Sequence, residues 1–182
     1  AGQGEYKIYV RRGKVLRNLG RAEEALASFE AAIACKPESV SAISYRADTL
    51  RELNRPREAL ASYYEALRID PGYAPAHHRA GQVHLGLGEL EEGWEQHEWR
   101  WKQMEFVEAH KLMRHRLDIP PWDGKRVNGT LLVWAEQGMG EEILYASMVP
   151  ELVERARSVV LEVSSRLVDL FARSIPGIRI VP

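Results

Sequence analysis

The residues of this 182-residue chain that are best suited to chemistry lie in one glycine-containing turn. The turn Gln137-Gly138-Met139-Gly140 follows a short apolar run, and the acids Glu141 and Glu142 come directly after it. Glycines at such a place let a ligand approach the backbone amides, and the start of a helix carries partial positive charge that suits an anion. The two glutamates already neutralise that charge. A packing turn, with both acids stabilising the helix, is therefore the preferred interpretation over a phosphate site.

The six histidines and the single cysteine predict no metal or nucleophilic site. No Cys/His spacing or HExxH pattern is present, although His77, His78 and His84 are close in sequence. Cys35 has no partner for a disulfide within the chain, which fits a reducing compartment. The net charge of −1 gives no general attraction for nucleic acid or an anionic membrane. We expect no cofactor, no nucleic-acid or membrane partner, and a cytoplasmic location.

The part of the chain that precedes this turn is built from elements that repeat along the sequence. A small–aromatic–small comb closed by proline occurs twice, 34 residues apart, as Ala25-Phe29-Ala32-Pro37 and as Ala59-Tyr63-Ala66-Pro71. The spacing i, i+4, i+7 places the comb on one helix face, and the proline ends the helix. A period of this length predicts stacked helix pairs. Three pairs are predicted, at residues 6–37, 40–71 and 74–101, the third with Gly93 and His97 in place of the small and aromatic residues.

The two full copies resemble tetratricopeptide repeats, because they carry Gly or Ala, Ala, an aromatic residue and Pro at the positions typical of that family. The resemblance implies an α-solenoid over residues 6–103 whose concave face, formed by the first helix of each pair, binds peptides. The positions that matter map to Lys7, Arg11, Lys14 and Arg17, then Tyr45, Asp48 and Arg51, then His78, Arg79 and Gln82.

Basic residues dominate this expected groove. Six Lys or Arg side chains stand against two acids, Asp48 and Glu52. An acidic peptide or protein is therefore the expected partner, and a solvated face with no specific partner is the open alternative. Repeat domains that clamp chaperone tails, like those of O-linked sugar transferases, carry Asn at one position of the first helix of each repeat. In this chain that position is occupied by Arg11, Tyr45 and Arg79, so both roles are disfavoured.

Residues 104–129 are predicted to connect the solenoid to a second domain. Near-helical spacing predicts a helix over Met104–Asp118, Trp122 is interpreted as an anchor, and Asn128-Gly129 as a turn. Before this connector, Trp94, Trp99 and Trp101 are interpreted as a cap on the last repeat, with stacking on a base or sugar as the alternative.

Residues 130–182 are predicted to form part of an α/β domain. Strands are expected at Leu131–Ala135, Ser158–Val163 and Ile178–Val181, with helices at about Glu141–Arg155 and Arg166–Ser174. This order predicts a parallel, Rossmann-like βαβαβ unit. A complete doubly wound domain has more strands, so we expect a cut sheet that self-associates through its unpaired edge.

Four segments together resemble a bacterial group in which tetratricopeptide repeats precede a glycosyltransferase-like domain of the GT-B fold. They are Gly93–Trp101, Pro121–Gly124, Glu136–Glu141 and Phe171–Gly177. The domain is similar to lipopolysaccharide heptosyltransferases and, more distantly, to O-linked N-acetylglucosamine transferases. The resemblance implies a sugar nucleotide bound by the full-length parent, and it places Glu141 where heptosyltransferases have an Asp proposed as general base.

That substitution and the missing half of the domain weaken the case for catalysis by this chain alone. Glutamate is one methylene longer than aspartate, which displaces its carboxylate by about 1 Å. The donor-binding half of GT-B enzymes is C-terminal and lies outside this sequence. The expected function is a protein-interaction scaffold. The alternative is the N-terminal part of a glycosyltransferase whose repeats recruit the acceptor.

Overall fold

The computed structural model describes residues 3–103, 120, 122–135 and 138–182. The chain divides into two compact units, residues 1–111 and 112–182. The first unit contains α1 (Gln3–Asn18), α2 (Ala22–Cys35), α3 (Val40–Glu52), α4 (Pro56–Ile69), α5 (Ala74–Gly86), α6 (Leu90–His97) and a 3₁₀ helix at Glu98–Lys102. Each odd-numbered helix packs on the even-numbered helix that follows it, and α3 and α5 also pack on the pair before them. The predicted solenoid of helix pairs is confirmed.

The repeated comb forms the core of each pair. Phe29 and Tyr63 are fully buried, as are the alanines on either side of each ring. Gly13 faces the ring of Phe29 so closely that a Cβ there would lie 2.6 Å from the ring. Small residues thus let the helices approach, and the aromatic ring fills the space between them.

The turn inside each pair uses the same helix-ending motif. Gly20, Asn54 and Gly88 adopt positive φ values of 73°, 57° and 78°. The amide after each of them donates to the carbonyl five residues earlier, at 2.9, 2.9 and 3.0 Å. This hydrogen bond satisfies a free helix carbonyl and sets the chain direction for the second helix. Asparagine adopts this positive-φ conformation at residue 54, where the other two pairs have glycine.

The second unit contains a three-stranded parallel sheet in the order β1-β2-β3. Its elements are β1 (Val127–Trp134), α7 (Met139–Ala146), α8 (Val149–Leu152), β2 (Ala156–Glu162), α9 (Val168–Ser174) and β3 (Arg179–Val181). Leu131 pairs with Val159, and Leu161 pairs with Ile180. The parallel sheet is therefore confirmed. Its core is formed by strand residues together with Val149, Leu167 and Phe171 from the connecting segments.

Two predictions for this unit are wrong. Asn128-Gly129 is not a turn, because it lies within β1, where the register with β2 shifts between Val127 and Thr130. An irregularity in a strand tolerates residues that otherwise mark turns. The single helix expected over Glu141–Arg155 is two helices separated by a turn, and Pro150 lies in the first turn of the second. Proline has no N–H to donate to the carbonyl of Ala146, four residues earlier, and its ring clashes with that carbonyl, so a continuous helix ends there.

Other predictions concern residues that the structure does not describe. The helix expected at Met104–Asp118, with His110 and His115, lies outside the described residues, as do Gln137 and Pro121. Within the described residues, no helix is both long and apolar enough to cross a membrane. The same residues contain no group of three or more His, Cys, Asp or Glu side chains placed to hold a metal ion.

Candidate peptide-binding surface

The basic groove residues lie on α1, α3 and α5, which neighbour one another in the solenoid. Lys7, Arg11 and Lys14 are exposed on α1, and Arg51 is exposed on α3. We call these four residues the exposed cations of the groove. Their side chains are available to a partner because they lie at the surface of adjacent helices.

Asp48 has a different place from the rest of the predicted groove. Its side chain is buried, with 2% of the residue exposed. The hydroxyl of Tyr63 donates to Oδ1 at 2.6 Å, and the guanidinium groups of Arg17 and Arg79 both reach Oδ2, Arg17 at 3.2 Å. The three partners come from three different helix pairs. Asp48 is thus an internal link between repeats, since its buried carboxylate is already bound by these three side chains.

The ion pairs of Asp48 neutralise part of the positive charge that the sequence places in the groove. Arg17 contacts both Asp48 and Glu52, the latter at 3.2 Å, and Arg79 contacts Asp48. Both acids of the groove are therefore paired within the protein. The exposed cations keep their charge for a ligand, since none of them is ion-paired with another described residue.

The ring of Tyr45 forms an aromatic surface beside the cations of α1. Its ring stacks on Phe29 with 5.5 Å between the centroids. The ammonium group of Lys14 lies 4.4 Å from the centre of the Tyr45 ring, and the Arg17 guanidinium lies 6.0 Å from it. These cation–π contacts hold Lys14 at the boundary between the first two repeats.

At the other end of the surface, polar side chains join α3, α5 and the segment after the 3₁₀ helix. Arg51 donates to Gln82 at 3.0 Å, and the Gln82 amide lies 3.4 Å from Nε2 of His78. The amide of Gln103 lies 2.7 Å from Nδ1 of His78. Burial, followed by the charges of His97 and Arg100, lowers the pKa of His78 to about 4, so its ring is neutral at physiological pH.

Sequence reasoning missed two polar contributions to this surface. Tyr63 is assigned only to the core by its place in the comb, yet its hydroxyl holds Asp48. Tyr6 hydrogen-bonds to Ser39 at 2.6 Å across the first two repeats, where Ser39 also caps α3. The capping serine is visible in the sequence, but its partner 33 residues away is not.

Ring contacts and an ion pair hold the tryptophan-rich segment. The Trp99 ring stacks on His77 at 3.8 Å, and the ammonium group of Lys102 lies 3.5 Å from its centre. Arg100 is buried, donates to Glu98 at 2.5 Å and lies 5.0 Å from the ring centre of Trp101. Arg100 therefore both pairs and stacks. Trp94 differs, because 47% of it is exposed.

The glycine turn of the second unit does not depend on glycine for its backbone. Gly138 precedes α7 with a φ of −73°, and a Cβ at Gly138 or Gly140 would meet no atom within 4 Å. Met139 and Glu141 are exposed in the first turn of α7. Glu142 instead has a structural role, since its carboxylate accepts the Ser164 amide at 2.9 Å and hydroxyl at 2.5 Å, which joins α7 to the segment after β2.

Comparison with known proteins agrees with this architecture. A family model for the tetratricopeptide repeat matches residues 6–39 and 46–73. The first two helix pairs are tetratricopeptide repeats. The third pair, α5 and α6, keeps their turn geometry and their stacking although the match ends at residue 73.

Solved structures with the same helical fold cover the repeats. The first tetratricopeptide domain of Spaghetti (RPAP3), bound to the HSP90 peptide SRMEEVD, is 17% identical with a TM-score of 0.54, over 65% of this chain and 98% of that chain. A yeast Sti1 domain in complex with pHsp70 is 20% identical with a TM-score of 0.54, over 63% and 90%. MamA is 17% identical with a TM-score of 0.51, over 57% and 61%.

One curated relative extends beyond the repeats. Protein FlbA of Caulobacter vibrioides is 30% identical over an alignment that covers 91% of this chain. The alignment covers 34% of FlbA, so this chain spans about a third of that relative's length.

Proposed function

We propose that this chain is a protein-interaction scaffold whose first-helix face binds an acidic peptide segment. The observation that carries the proposal is the set of exposed cations on α1 and α3, next to acids that are already paired internally. Both acids at the described groove positions, Asp48 and Glu52, are already paired, and an incoming carboxylate finds lysine and arginine donors on two neighbouring helices. Charge-assisted hydrogen bonds of this kind are roughly twice as strong as neutral ones.

The surface offers a partner more than charge. The Tyr45 ring beside Lys14 gives an apolar contact for a side chain next to the carboxylate. Ion pairs at an exposed surface contribute little singly, so several together are needed to set orientation and association rate. An extended peptide with two or more acids suits a face of this kind. The peptide SRMEEVD bound by the Spaghetti domain is acidic, which supports the proposal.

A binding experiment tests this directly. A fluorescent peptide rich in Glu and Asp is titrated with the protein, and anisotropy is measured at low and at high salt. The Arg11→Glu/Lys14→Glu variant should bind at least roughly tenfold more weakly, and salt should weaken binding to the wild type. Arg68→Glu is the matched control, since Arg68 is exposed on the second-helix side, on α4.

Two outcomes would contradict the proposal. In the first, a peptide with Gln and Asn in place of the acids binds equally well. In the second, Arg68→Glu weakens binding as much as the groove variant. Arg79 is unsuitable for this test because it contacts buried Asp48, so its substitution would alter the fold as well as the groove.

A second candidate is the N-terminal part of a glycosyltransferase that uses the repeats to recruit its acceptor. The parallel β1-β2-β3 order supports it, since a GT-B half begins with such a unit. In this candidate Glu141 acts as base and Gly138–Gly140 faces the ligand in the full-length parent. Calorimetric titration of the full-length protein with uridine, guanosine and adenosine diphosphate-sugars tests this candidate. The absence of binding heat with all three would contradict it. Self-association through the edge strands β1 and β3 remains a prediction.

A further inference from the structure

Three hydroxyl groups meet where α1 lies beside the start of α3. The Tyr6 hydroxyl lies 2.6 Å from Oγ of Ser39 and 3.3 Å from Oγ of Ser41, and the two serine oxygens are 3.3 Å apart. Tyr6 belongs to α1, Ser39 caps α3, and Ser41 lies in the first turn of α3. We call these three residues the hydroxyl cluster. Tyr6 and Ser41 are half-buried, so a ligand can reach them from solvent.

The hydrogen bonds of the cluster leave two O–H groups able to turn towards a ligand. Oγ of Ser39 accepts the Ala42 amide at 3.3 Å, so the helix cap fixes this oxygen while its own proton is donated to Tyr6. The Tyr6 oxygen accepts that proton and keeps its own O–H for a partner. Ser41 contacts the other two hydroxyls only at 3.3 Å, which is longer than a usual O–H···O hydrogen bond. Its hydroxyl can therefore turn outward at little cost.

Two lysines supply positive charge beside the hydroxyl cluster. Burial alone would raise the pKa of Tyr6, but its two hydrogen bonds and the charges of Lys36 and Lys14 lower it. Both lysines are exposed, and neither is ion-paired with a described residue. Lys14 is one of the exposed cations of the groove, whereas Lys36 follows α2 and was not counted among the groove positions. The positive charge of the groove thus extends to the cluster.

These donors suit a phosphate monoester better than a carboxylate. They come from three segments, with Tyr6 on α1, Ser41 on α3 and Lys36 at the end of α2. A carboxylate presents two oxygens in one plane and a single charge. A phosphorylated side chain carries about −1.5 to −2 charges and three strong acceptor oxygens in a tetrahedral arrangement. One phosphate can therefore accept hydrogen bonds from hydroxyl and ammonium donors that approach from different directions.

We propose that the hydroxyl cluster, together with Lys14 and Lys36, is a subsite for a phosphorylated residue of the peptide that binds the first-helix face. This inference rests on the proposed function, since it assigns one residue of that peptide. Ser41 and Tyr45 are four residues apart and share a face of α3, so the Tyr45 ring is placed for the side chain next to the phosphorylated residue. Phosphorylation of the partner thereby raises its affinity for this chain.

Fluorescence anisotropy with matched peptides tests this subsite. Three versions of one Glu- and Asp-rich peptide carry a single phosphoserine near the amino end, in the middle or near the carboxyl end, and a fourth version carries serine at all three places. We define the gain as the ratio of the affinities for a phosphorylated version and the serine version, measured on the same protein. The best phosphorylated version should show a gain of at least roughly tenfold with the wild type.

Substitutions in the subsite should remove this gain. Tyr6→Phe keeps the ring and deletes the hydroxyl, and it should reduce the gain to about twofold or less. Lys36→Gln should reduce the gain at least roughly threefold, and it changes an exposed side chain outside the hydrogen-bonded cluster. Tyr9→Phe is the matched control, because Tyr9 also lies in α1 and makes no hydrogen bond with a described residue. It should keep the full gain, and circular dichroism should show unchanged helix content in all three variants.

The outcomes separate this subsite from the proposed function. If the serine version binds but no phosphorylated version binds more tightly, the subsite is overturned and acidic-peptide binding stands. The same conclusion follows if folded Tyr6→Phe and Lys36→Gln variants both keep the full gain. If only a phosphorylated version binds and Tyr6→Phe abolishes this binding, the subsite stands and acidic side chains alone are not sufficient. If no version binds, both the proposed function and the subsite are overturned.

Discussion

Asp48 determines which side chains of the groove remain available to a partner. Its carboxylate holds two arginines and a tyrosine from three helix pairs. Those arginines are thereby fixed, and Lys7, Arg11 and Lys14 remain as charged groups at the surface. The same residue therefore links stability of the stack to the electrostatics of the proposed binding face.

Replacing Asp48 should destabilise the solenoid. Asp48→Asn keeps the size of the side chain and an acceptor for Tyr63, but leaves Arg17 and Arg79 without their shared counter-charge. Breaking a buried pair in this way is expected to cost about 2–4 kcal/mol of the free energy of unfolding, measured by urea denaturation. Glu58→Gln, at an exposed pair, is the control and should leave the midpoint unchanged. Equal effects of the two substitutions would contradict an internal role for Asp48.

His78 should make the first unit less stable in mild acid. Its pKa falls to about 4 in the folded protein, chiefly through burial, whereas an unfolded histidine titrates near about 6.5. Between these values the unfolded state binds a proton that the folded state does not, so stability falls as pH decreases from about 6.5 to about 4. The ring is half-exposed, so solvent screening limits the effect.

Its charged neighbours lower the pKa of His78 further, in the same direction as burial. His97, Arg100, Arg79 and Arg51 all face His78 and oppose a second positive charge. His78→Asn should therefore show a shallower loss of stability between about pH 7 and about pH 5 than the wild type, measured as the shift in melting temperature. An identical pH slope in both proteins would show that His78 does not titrate in this way.

At the level of single residues, the sequence predicts types and faces better than partners. The 34-residue period places Asp48 and Arg79 on the same face, because helix periodicity alone determines that position. It cannot show that Asp48 points inward to Tyr63, since that depends on how deeply two helices approach each other. The buried alanines Ala47, Ala59 and Ala66 of these two helices allow that approach.

At the level of elements, the outcome depends on how many signals agree. Each helix pair has a comb, a helix-ending residue and a closing proline, and all three predict the same boundaries. In the second unit the signals conflict. Asn128-Gly129 resembles a turn but continues β1, and Pro150 interrupts an otherwise helical pattern. Pairing with β2 decided the first case, and the single proline decided the second.

Close helix approach in the third pair gives a prediction at this level. A Cβ on Gly81 would lie 2.5 Å from the backbone nitrogen of His97 and 2.8 Å from the Gly93 carbonyl. Backbone atoms cannot move aside as a side chain can, so Gly81→Ala should lower the free energy of unfolding by about 1–3 kcal/mol. Gly86→Ala lies in the same helix with open space around it and should be neutral or stabilising by up to about 1 kcal/mol. Equal destabilisation by both, in thermal melts, would contradict close packing at Gly81.

At the level of the whole molecule, charge is distributed along the solenoid although the chain is almost neutral. The net charge of −1 conceals a basic α1 and an acidic α6. The nearly neutral composition therefore argues against a general attraction for polyanions. It does not argue against attraction of an acidic ligand to the basic helix α1 alone. The basic helix α1 carries three of the four exposed cations of the groove, Lys7, Arg11 and Lys14.

The two units should fold as separate bodies. The core clusters of the repeats contain residues of the first unit, and the cluster around the sheet contains residues of the second. A fragment of residues 1–111 should therefore give a helical circular dichroism spectrum and a cooperative thermal transition. Its melting temperature should match the helical transition of the whole chain to within about 5 °C.

The same fragment separates the proposed peptide site from the α/β unit. The exposed cations and Tyr45 all belong to residues 1–111, so the fragment should bind the acidic peptide within about twofold of the whole chain. Titration of both proteins with the same labelled peptide measures this. Loss of binding in a fragment that remains folded would mean that the second unit contributes contacts, and the groove alone would not account for recognition.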